Sequence, residues 1–285
     1  MATVTRNFTT DDIEYLRIGD KALQLRLFRP LGDGPFPVVI VLHGGAWNNG
    51  DMTRCQSQGE AWAEAGMAVA SLDFRHAEDR YPSSFIDINY AIRWVKAHAA
   101  DLRIDPERVG ISGQSSGGHL AMLAAMRPHD PRYTEIPLGD GSASVDATVR
   151  CVGMAWPVIN PLSRYRHAKR SLAELGPDCW AAGMPENHHT YWVDEETMEE
   201  GNPMLALERG EPVQMPPALW VQGDPDTVHN YVDQDSDAGV PEPERFADNY
   251  RKAGGEIEVL YVEYETSEGR ASIDPLGDFF RKHLT

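Results

Sequence analysis

Apolar and polar positions near the start of the chain alternate with a period of two. Ile13 and Tyr15 before Gly19-Asp20, and Leu23, Leu25 and Leu27 after it, each sit between polar neighbours. Successive side chains of a strand point to opposite faces, so this pattern predicts an antiparallel hairpin with one buried face. A Gly/Pro-rich turn covers 30–37, and then the pattern changes. Val38-Val39-Ile40-Val41-Leu42 is continuously apolar and mostly β-branched, as in a strand buried on both faces. From there strand-like and helix-like stretches take turns. Strands are predicted over 67–73, 108–112, 149–155, 218–222 and 256–263. Helices are predicted over 85–98, with Ile88, Ala91, Ile92 and Val95 at helical spacing, and over 116–126, 243–253 and 274–283. This alternation predicts an α/β fold with a mostly parallel central sheet and helices on both faces.

One stretch breaks the rhythm. Residues 158–217 show no strand pattern, while 164–175 and 194–208 contain helix-like pieces. An insertion of that kind between two strands predicts a helical cap over the carboxyl ends of the sheet, within a single domain spanning 1–285.

Composition narrows the partners. A formal charge of −18 on 285 residues opposes nucleic acid and anionic membranes, which need clustered Lys and Arg. A small-molecule substrate is the expected partner, and a homo-oligomer stays open. Residues 1–10 are polar, without the apolar core of a secretory signal, and the apolar run at 38–42 is far too short to span a bilayer. Cys55, Cys151 and Cys179 are odd in number, widely spaced and form no CxxC. Reduced thiols in a cytoplasmic protein are the expectation.

The chemistry centres on Gly113-Gln114-Ser115-Ser116-Gly117. It follows a predicted strand and precedes a predicted helix, the setting in which G-x-S-x-G forms a nucleophile elbow. The turn exposes the Ser115 hydroxyl above the sheet and leaves the Ser116 N–H free to face an oxyanion. His43-Gly44-Gly45-Ala46-Trp47 closes the buried strand upstream. Its Gly44 and Gly45 N–H groups are candidates for the rest of an oxyanion hole, where one donor is worth about 2.7–4 kcal/mol to a transition state.

With these motifs the chain resembles the hormone-sensitive-lipase-like and acetyl-esterase-like carboxylesterases of the α/β-hydrolase superfamily. The resemblance runs from Phe36 onward. It includes Leu72-Asp73-Phe74-Arg75, Asp105-Pro106-Glu107-Arg108-Val109 before the elbow, and Pro216-Pro217-Ala218-Leu219-Trp220-Val221-Gln222-Gly223. It implies the α/β-hydrolase fold and hydrolysis of small or aromatic carboxylic esters through an acyl-enzyme on Ser115. The family's acid follows its seventh strand in a pattern like G-x-x-D, which makes Asp226 of Gly223-Asp224-Pro225-Asp226 the acid and Asp224 the second choice. The family's histidine follows the eighth strand. Here that segment reads Tyr264-Glu265-Thr266-Ser267-Glu268-Gly269-Arg270, so Glu268 occupies the histidine's place.

A serine hydroxyl needs a base to take its proton. Histidine suits with a reference pKa of about 6.5, whereas glutamate starts near 4.3. His229, three residues past Asp226, is an alternative base. His119, one turn past Ser115, reads as a packing residue, and His188 and His189 in the cap read as surface. Trp47, Trp156, Trp180, Tyr191 and Trp192 are candidates to line a substrate pocket. Asp233, Asp235, Asp237 and Glu244 have spacing like a calcium loop. Ala238 stands where that loop needs glycine, and a solvated acidic loop with no metal is expected. No cofactor is implied. Two other readings share these motifs: a hydrolase-fold binding protein without turnover, and a non-hydrolytic, lyase-like enzyme using Glu268 as base.

Overall fold

The computed structural model describes residues 6–139, 144–263 and 270–285. Among them eight strands form one sheet: β1 (Phe8–Ile18), β2 (Lys21–Pro30), β3 (Phe36–Leu42), β4 (Ala68–Leu72), β5 (Ile104–Gln114), β6 (Cys151–Ala155), β7 (Ala218–Asp224) and β8 (Ile257–Glu263). They lie in the order β1-β2-β4-β3-β5-β6-β7-β8. The hairpin β1–β2 is antiparallel and meets β4 antiparallel, while every pairing from β4 to β8 is parallel. Ten α-helices accompany the sheet: α1 (Gln56–Glu64), α2 (Ser83–Ala97), α3 (Ala99–Leu102), α4 (Ser116–Met126), α5 (Pro161–Leu175), α6 (Met184–Trp192), α7 (Glu195–Glu200), α8 (Pro203–Glu208), α9 (Glu242–Lys252) and α10 (Arg270–His283).

The continuous apolar run of β3 divides by parity. Val38, Ile40 and Leu42 join one core cluster with Phe85 and Ile88 of α2, Leu120 of α4 and Phe246 of α9. Val39 and Val41 join the other, with Trp62 of α1 and Phe280 of α10. Those two rings meet at 5.4 Å between centroids, and Trp62 Nε1–H donates to the Ile273 carbonyl at 2.9 Å. A strand flanked on both faces has no side to give to water, so alternation disappears from its sequence. The edge strand β1 carries Asp11, Asp12, Glu14 and Arg17, charges that keep an open edge from pairing with another chain.

Helices α1, α3 and α6 have no counterpart in the sequence pattern. In α1 the reason is Gly59, a poor helix former. A Cβ there would lie 2.3 Å from the Phe28 ring, so close packing of α1 on β2 requires the residue that hides the helix. The 194–208 piece is two helices, α7 and α8, broken at Gly201-Asn202. Residues between β6 and β7 fold as α5–α8 without a strand.

Three loops at the carboxyl ends of parallel strands carry the expected chemistry. They follow β3, β5 and β7, and in parallel α/β sheets ligands bind at this edge.

Candidate active site

Ser115 sits where β5 turns into α4, with φ 53° and ψ −120°, a backbone state costly for a residue with a Cβ. The motif's glycines are what make the turn fit. A Cβ on Gly113 would lie 2.2 Å from the Gly117 carbonyl oxygen, and one on Gly117 would lie 2.3 Å from that of Leu42. The elbow is therefore pressed against the end of β3 as well as folded on itself. Ser115 N–H donates to Ala155 O at 3.0 Å, and its carbonyl accepts from His119 N at 3.2 Å and Val158 N at 3.1 Å. Ser116 opens α4, so its N–H belongs to the first turn, where no intrahelical acceptor exists.

The loop after β7 brings two side chains to this serine. His229 Nε2 lies 3.1 Å from Ser115 Oγ, and His229 Nδ1 lies 3.0 Å from Asp226 Oδ2. The carboxylate can only accept, so Nδ1 carries the proton and Nε2 is bare toward the hydroxyl. Asp226 is held in turn. Its Oδ1 accepts from Val228 N at 2.9 Å and His229 N at 3.0 Å, and its Oδ2 also accepts from Gln222 Nε2 at 3.2 Å. Burial works to raise the Asp226 carboxyl, but the hydrogen bonds and charge of His229 and the N–H of Val228 outweigh it and hold the pKa below its ordinary value. For His229, burial lowers the pKa, the Asp226 hydrogen bond opposes, and the positive charge of Arg164 adds to the lowering. The net effect is a neutral imidazole at pH 7, the form that accepts a proton.

Across from the serine lies the loop after β3. A Cβ on Gly44 would stand 3.4 Å from Ser115 Cβ and 2.9 Å from Gln114 O. Gly45 has φ 129°, and a Cβ there would meet Asn49 O at 1.8 Å. His43 Nδ1–H donates to the Gly44 carbonyl at 2.8 Å. In a trans peptide the next N–H, that of Gly45, points the opposite way. His43 is buried against Phe74, with ring centroids 4.3 Å apart, and burial lowers its pKa to about 4. It stays a neutral strut.

With this geometry in place, comparison with known proteins is direct. A family model described as BD-FAE matches residues 26–234. The chain belongs to the BD-FAE family. The BD-FAE match takes in Gly44, Gly45, Ser115, Asp226 and His229 and ends before β8. Over 144 residues the chain is 36% identical to the "Probable carboxylic ester hydrolase LipM" of Mycobacterium tuberculosis, covering 47% of this chain and 32% of that protein. Over 125 residues it is 37% identical to "Esterase LipC" of the same organism, covering 42% and 30%. The chain thus spans about a third of the length of the curated relatives it matches. Among solved structures, carboxyl esterase 2 of Tuber melanosporum superposes with a TM-score of 0.73 at 20% identity, covering 99% of this chain and 90% of that one. The propionate-bound Est2 of Thermogutta terrifontis gives 0.68 at 22%, covering 96% and 94%. This BD-FAE chain has the α/β-hydrolase fold.

Helices α5–α8 of this BD-FAE chain are fastened to every part of the site. Asn48 Nδ2 donates to Asn187 O of α6 at 2.7 Å, and Arg164 of α5 donates to Val228 O. His119 Nε2–H donates to Gly201 O at 2.8 Å, which leaves Nδ1 to accept from Trp47 Nε1 at 3.2 Å. Burial lowers the His119 pKa to about 3, consistent with that neutral tautomer. One histidine joins α4, the loop after β3 and the turn between α7 and α8.

Several expectations need correction. Trp47, Trp156, Tyr191 and Trp192 are 2%, 1%, 0% and 0% exposed, so they are packing rather than walls of an open pocket. Trp47 stacks on Tyr191 and meets Trp192 and His188 edge-on, which glues α6 onto the loop after β3. Trp156 is buried at the end of β6, its N–H donating to Val221 O at 2.7 Å. His188 is buried, not at the surface. The acidic loop is exposed at Asp235 and Asp237, as expected, but Asp233 is buried and pairs with Arg245 at 2.9 Å, and Arg170 reaches Asp235 at 2.9 Å. Asp224 is exposed at the end of β7. Glu268 lies outside the described residues. Sequence reasoning missed Asn48 and Arg164. A signal for the latter exists: Arg164 stands among Pro161, Leu162, Tyr165 and Ala168 on the apolar side of a helix, where an unpaired charge is rare.

Proposed function

We propose that this protein is a serine carboxylesterase acting on small or aromatic carboxylic esters through an acyl-enzyme on Ser115, with His229 as general base and Asp226 as the acid that orients it. The observation that carries this is the relay from Ser115 Oγ to His229 Nε2 at 3.1 Å and from His229 Nδ1 to Asp226 Oδ2 at 3.0 Å. His229 Nε2 takes the hydroxyl proton as Oγ attacks the ester carbonyl. The oxygen that gains charge is met by N–H groups of Gly44, Gly45 and Ser116. His229 then gives its proton to the departing alkoxide, leaving the acyl group on Ser115. Water enters, loses a proton to Nε2, attacks the acyl carbon, and releases the carboxylic acid with Ser115 restored.

The names of LipM and LipC support ester hydrolysis as the reaction class. Glu268 is not needed as base in this reading. The lyase-like and binding-only readings drew their force from a missing imidazole, and His229 supplies one. The test is hydrolysis of p-nitrophenyl acetate together with fluorophosphonate labelling. The native protein should hydrolyse the ester and become labelled. Ser115→Ala should do neither, while its stability stays within about 1 kcal/mol, since an elbow side chain adds little packing. Equal hydrolysis by the variant would remove Ser115 from the mechanism.

A further inference from the structure

One face of α5 lies along the loop that carries Asp226 and His229. The helix starts cleanly, with Asn160 Oδ1 accepting from Ser163 N at 3.0 Å. Ser163 Oγ–H donates to Tyr231 Oη at 3.3 Å, and the His167 ring stacks on that of Tyr231 with centroids 4.0 Å apart. Between them Arg164 Nη1 donates to the carbonyl of Val228, the residue just before His229. Arg164 is 5% exposed, and its guanidinium stands 4.3 Å from the centre of the Trp180 ring. Among the described residues no carboxylate lies within ion-pair distance of it. A buried cation without an acid partner is costly, so an ion pair does not account for its place. What it grips is one carbonyl and one aromatic face.

We propose that Arg164 is a positioning residue for the base: from the cap it fixes the Val228 carbonyl and so holds the His229 imidazole on Ser115 Oγ. The loop needs such a hold. The bonds that Asp226 accepts come from Gln222, Val228 and His229, all within β7 or the loop itself. They set the loop's shape and tie it to β7; the hold from outside comes from α5, where Ser163 and His167 grip Tyr231 and Arg164 grips the carbonyl next to His229. A displacement of 1 Å at a reacting group costs about 100-fold in rate. Charge works in the same direction. The charged groups acting on His229 among the described residues are Asp226 on its own loop and Arg164 on α5, while Ser115 is neutral. Asp226 favours the protonated ring, and Arg164 offsets this in favour of the ring that can accept a proton.

The proposal rests on the Ser115–His229 relay described above. Its test compares Arg164→Met, Arg164→Lys and Trp180→Leu with the native protein, using p-nitrophenyl acetate and an NMR titration of the His229 ring. Arg164→Met should lower kcat about 10- to 100-fold with KM nearly unchanged. The acid limb of kcat/KM, and the His229 pKa read by NMR, should both move to higher pH. Arg164→Lys keeps a charge and a donor, so it should restore the limb and much of kcat. Trp180→Leu loosens the guanidinium from a half-buried position and should give a smaller change of the same kind, which keeps the test open should Arg164→Met fail to fold. Native kcat and an unmoved limb in Arg164→Met, with Ser115→Ala inactive, overturn the proposal and leave the relay standing. A change in KM alone also overturns it, since that marks substrate contact. If Ser115→Ala hydrolyses as fast as the native protein, the relay itself fails as a mechanism. The proposal, which names His229 as the base, then falls with it.

Discussion

Replacing Asp226 by Asn removes one charge and turns one acceptor oxygen into a donor, and the structure leaves that donor nowhere to go. Four N–H groups converge on the carboxylate: Val228 N and His229 N on Oδ1, His229 Nδ1 and Gln222 Nε2 on Oδ2. Gln222 cannot simply turn over, because its Oε1 accepts from Trp220 Nε1 at 2.9 Å. With the amide oxygen at Oδ1, the NH₂ faces His229 Nδ1, and the imidazole moves its proton to Nε2 to supply an acceptor. Nε2–H then points at Ser115 and cannot act as a base. With the oxygen at Oδ2, the NH₂ confronts two backbone N–H groups and the loop must open. The first outcome costs about 10⁴-fold in kcat, about 5.4 kcal/mol of barrier. Either one leaves buried donors unpaired at about 1–3 kcal/mol each in stability. The assay is kcat and KM for p-nitrophenyl acetate with urea denaturation alongside, and Asp224→Asn serves as the control because Asp224 is exposed. A kcat for Asp226→Asn close to the native value, with Asp224→Asn inactive, would refute the orientation of His229 by Asp226.

Acidification should weaken the fold through its buried histidines, opposed in part by the buried Glu242 carboxyl, which burial raises to about 7 so that the folded chain takes up its proton first. Burial depresses His43 to about 4, and His119 and His188 to about 3. The unfolded chain therefore takes up protons near pH 6.5 that the folded one refuses, and stability falls as pH drops from there toward 4. Each histidine contributes up to about 1.4 kcal/mol per pH unit; urea midpoints unchanged between pH 7 and pH 5 would contradict this. Activity has the same direction at a single group: with His229 depressed, the acid limb of kcat/KM should lie below pH 6.5. Gly45→Ala should cut kcat about 10²- to 10³-fold by forcing the loop after β3 off Asn49, and native activity in that variant would count against Gly45 as an oxyanion donor. EDTA should change neither melting temperature nor activity, because guanidinium groups already occupy the Asp233 and Asp235 carboxylates; a fall in melting temperature that calcium reverses would count against it.

The sequence by itself carried the sheet and the elbow. Strands were legible because local rules suffice: period-two alternation in the hairpin, an unbroken β-branched run in β3, and Gly113 and Gly117 around Ser115. Each of these reflects contacts within a few residues or burial on both faces, which leave their mark on composition. Asp226 was legible for the same reason, in a short pattern after a strand. The base was not. His229 lies 114 residues from Ser115 in sequence, and nothing local tells which imidazole a β7 loop will turn onto a β5 serine; expectation from family spacing pointed instead to Glu268. The same holds for His188 and the aromatic rings around Trp47, whose sequence positions fit pocket or surface equally well, whereas His119 packs as its place one turn past Ser115 leads one to expect. Whether they are walls, struts or glue depends on where helices α5–α8 come to rest. Gly59 shows the limit most plainly: it erased α1 from the helical pattern because a ring on β2, distant in sequence, occupies the place of its missing Cβ. Local periodicity determines elements, whereas the partner across a packed interface is a property of the assembled chain, and the cluster of Ser115, His229 and Asp226 is made of such partners.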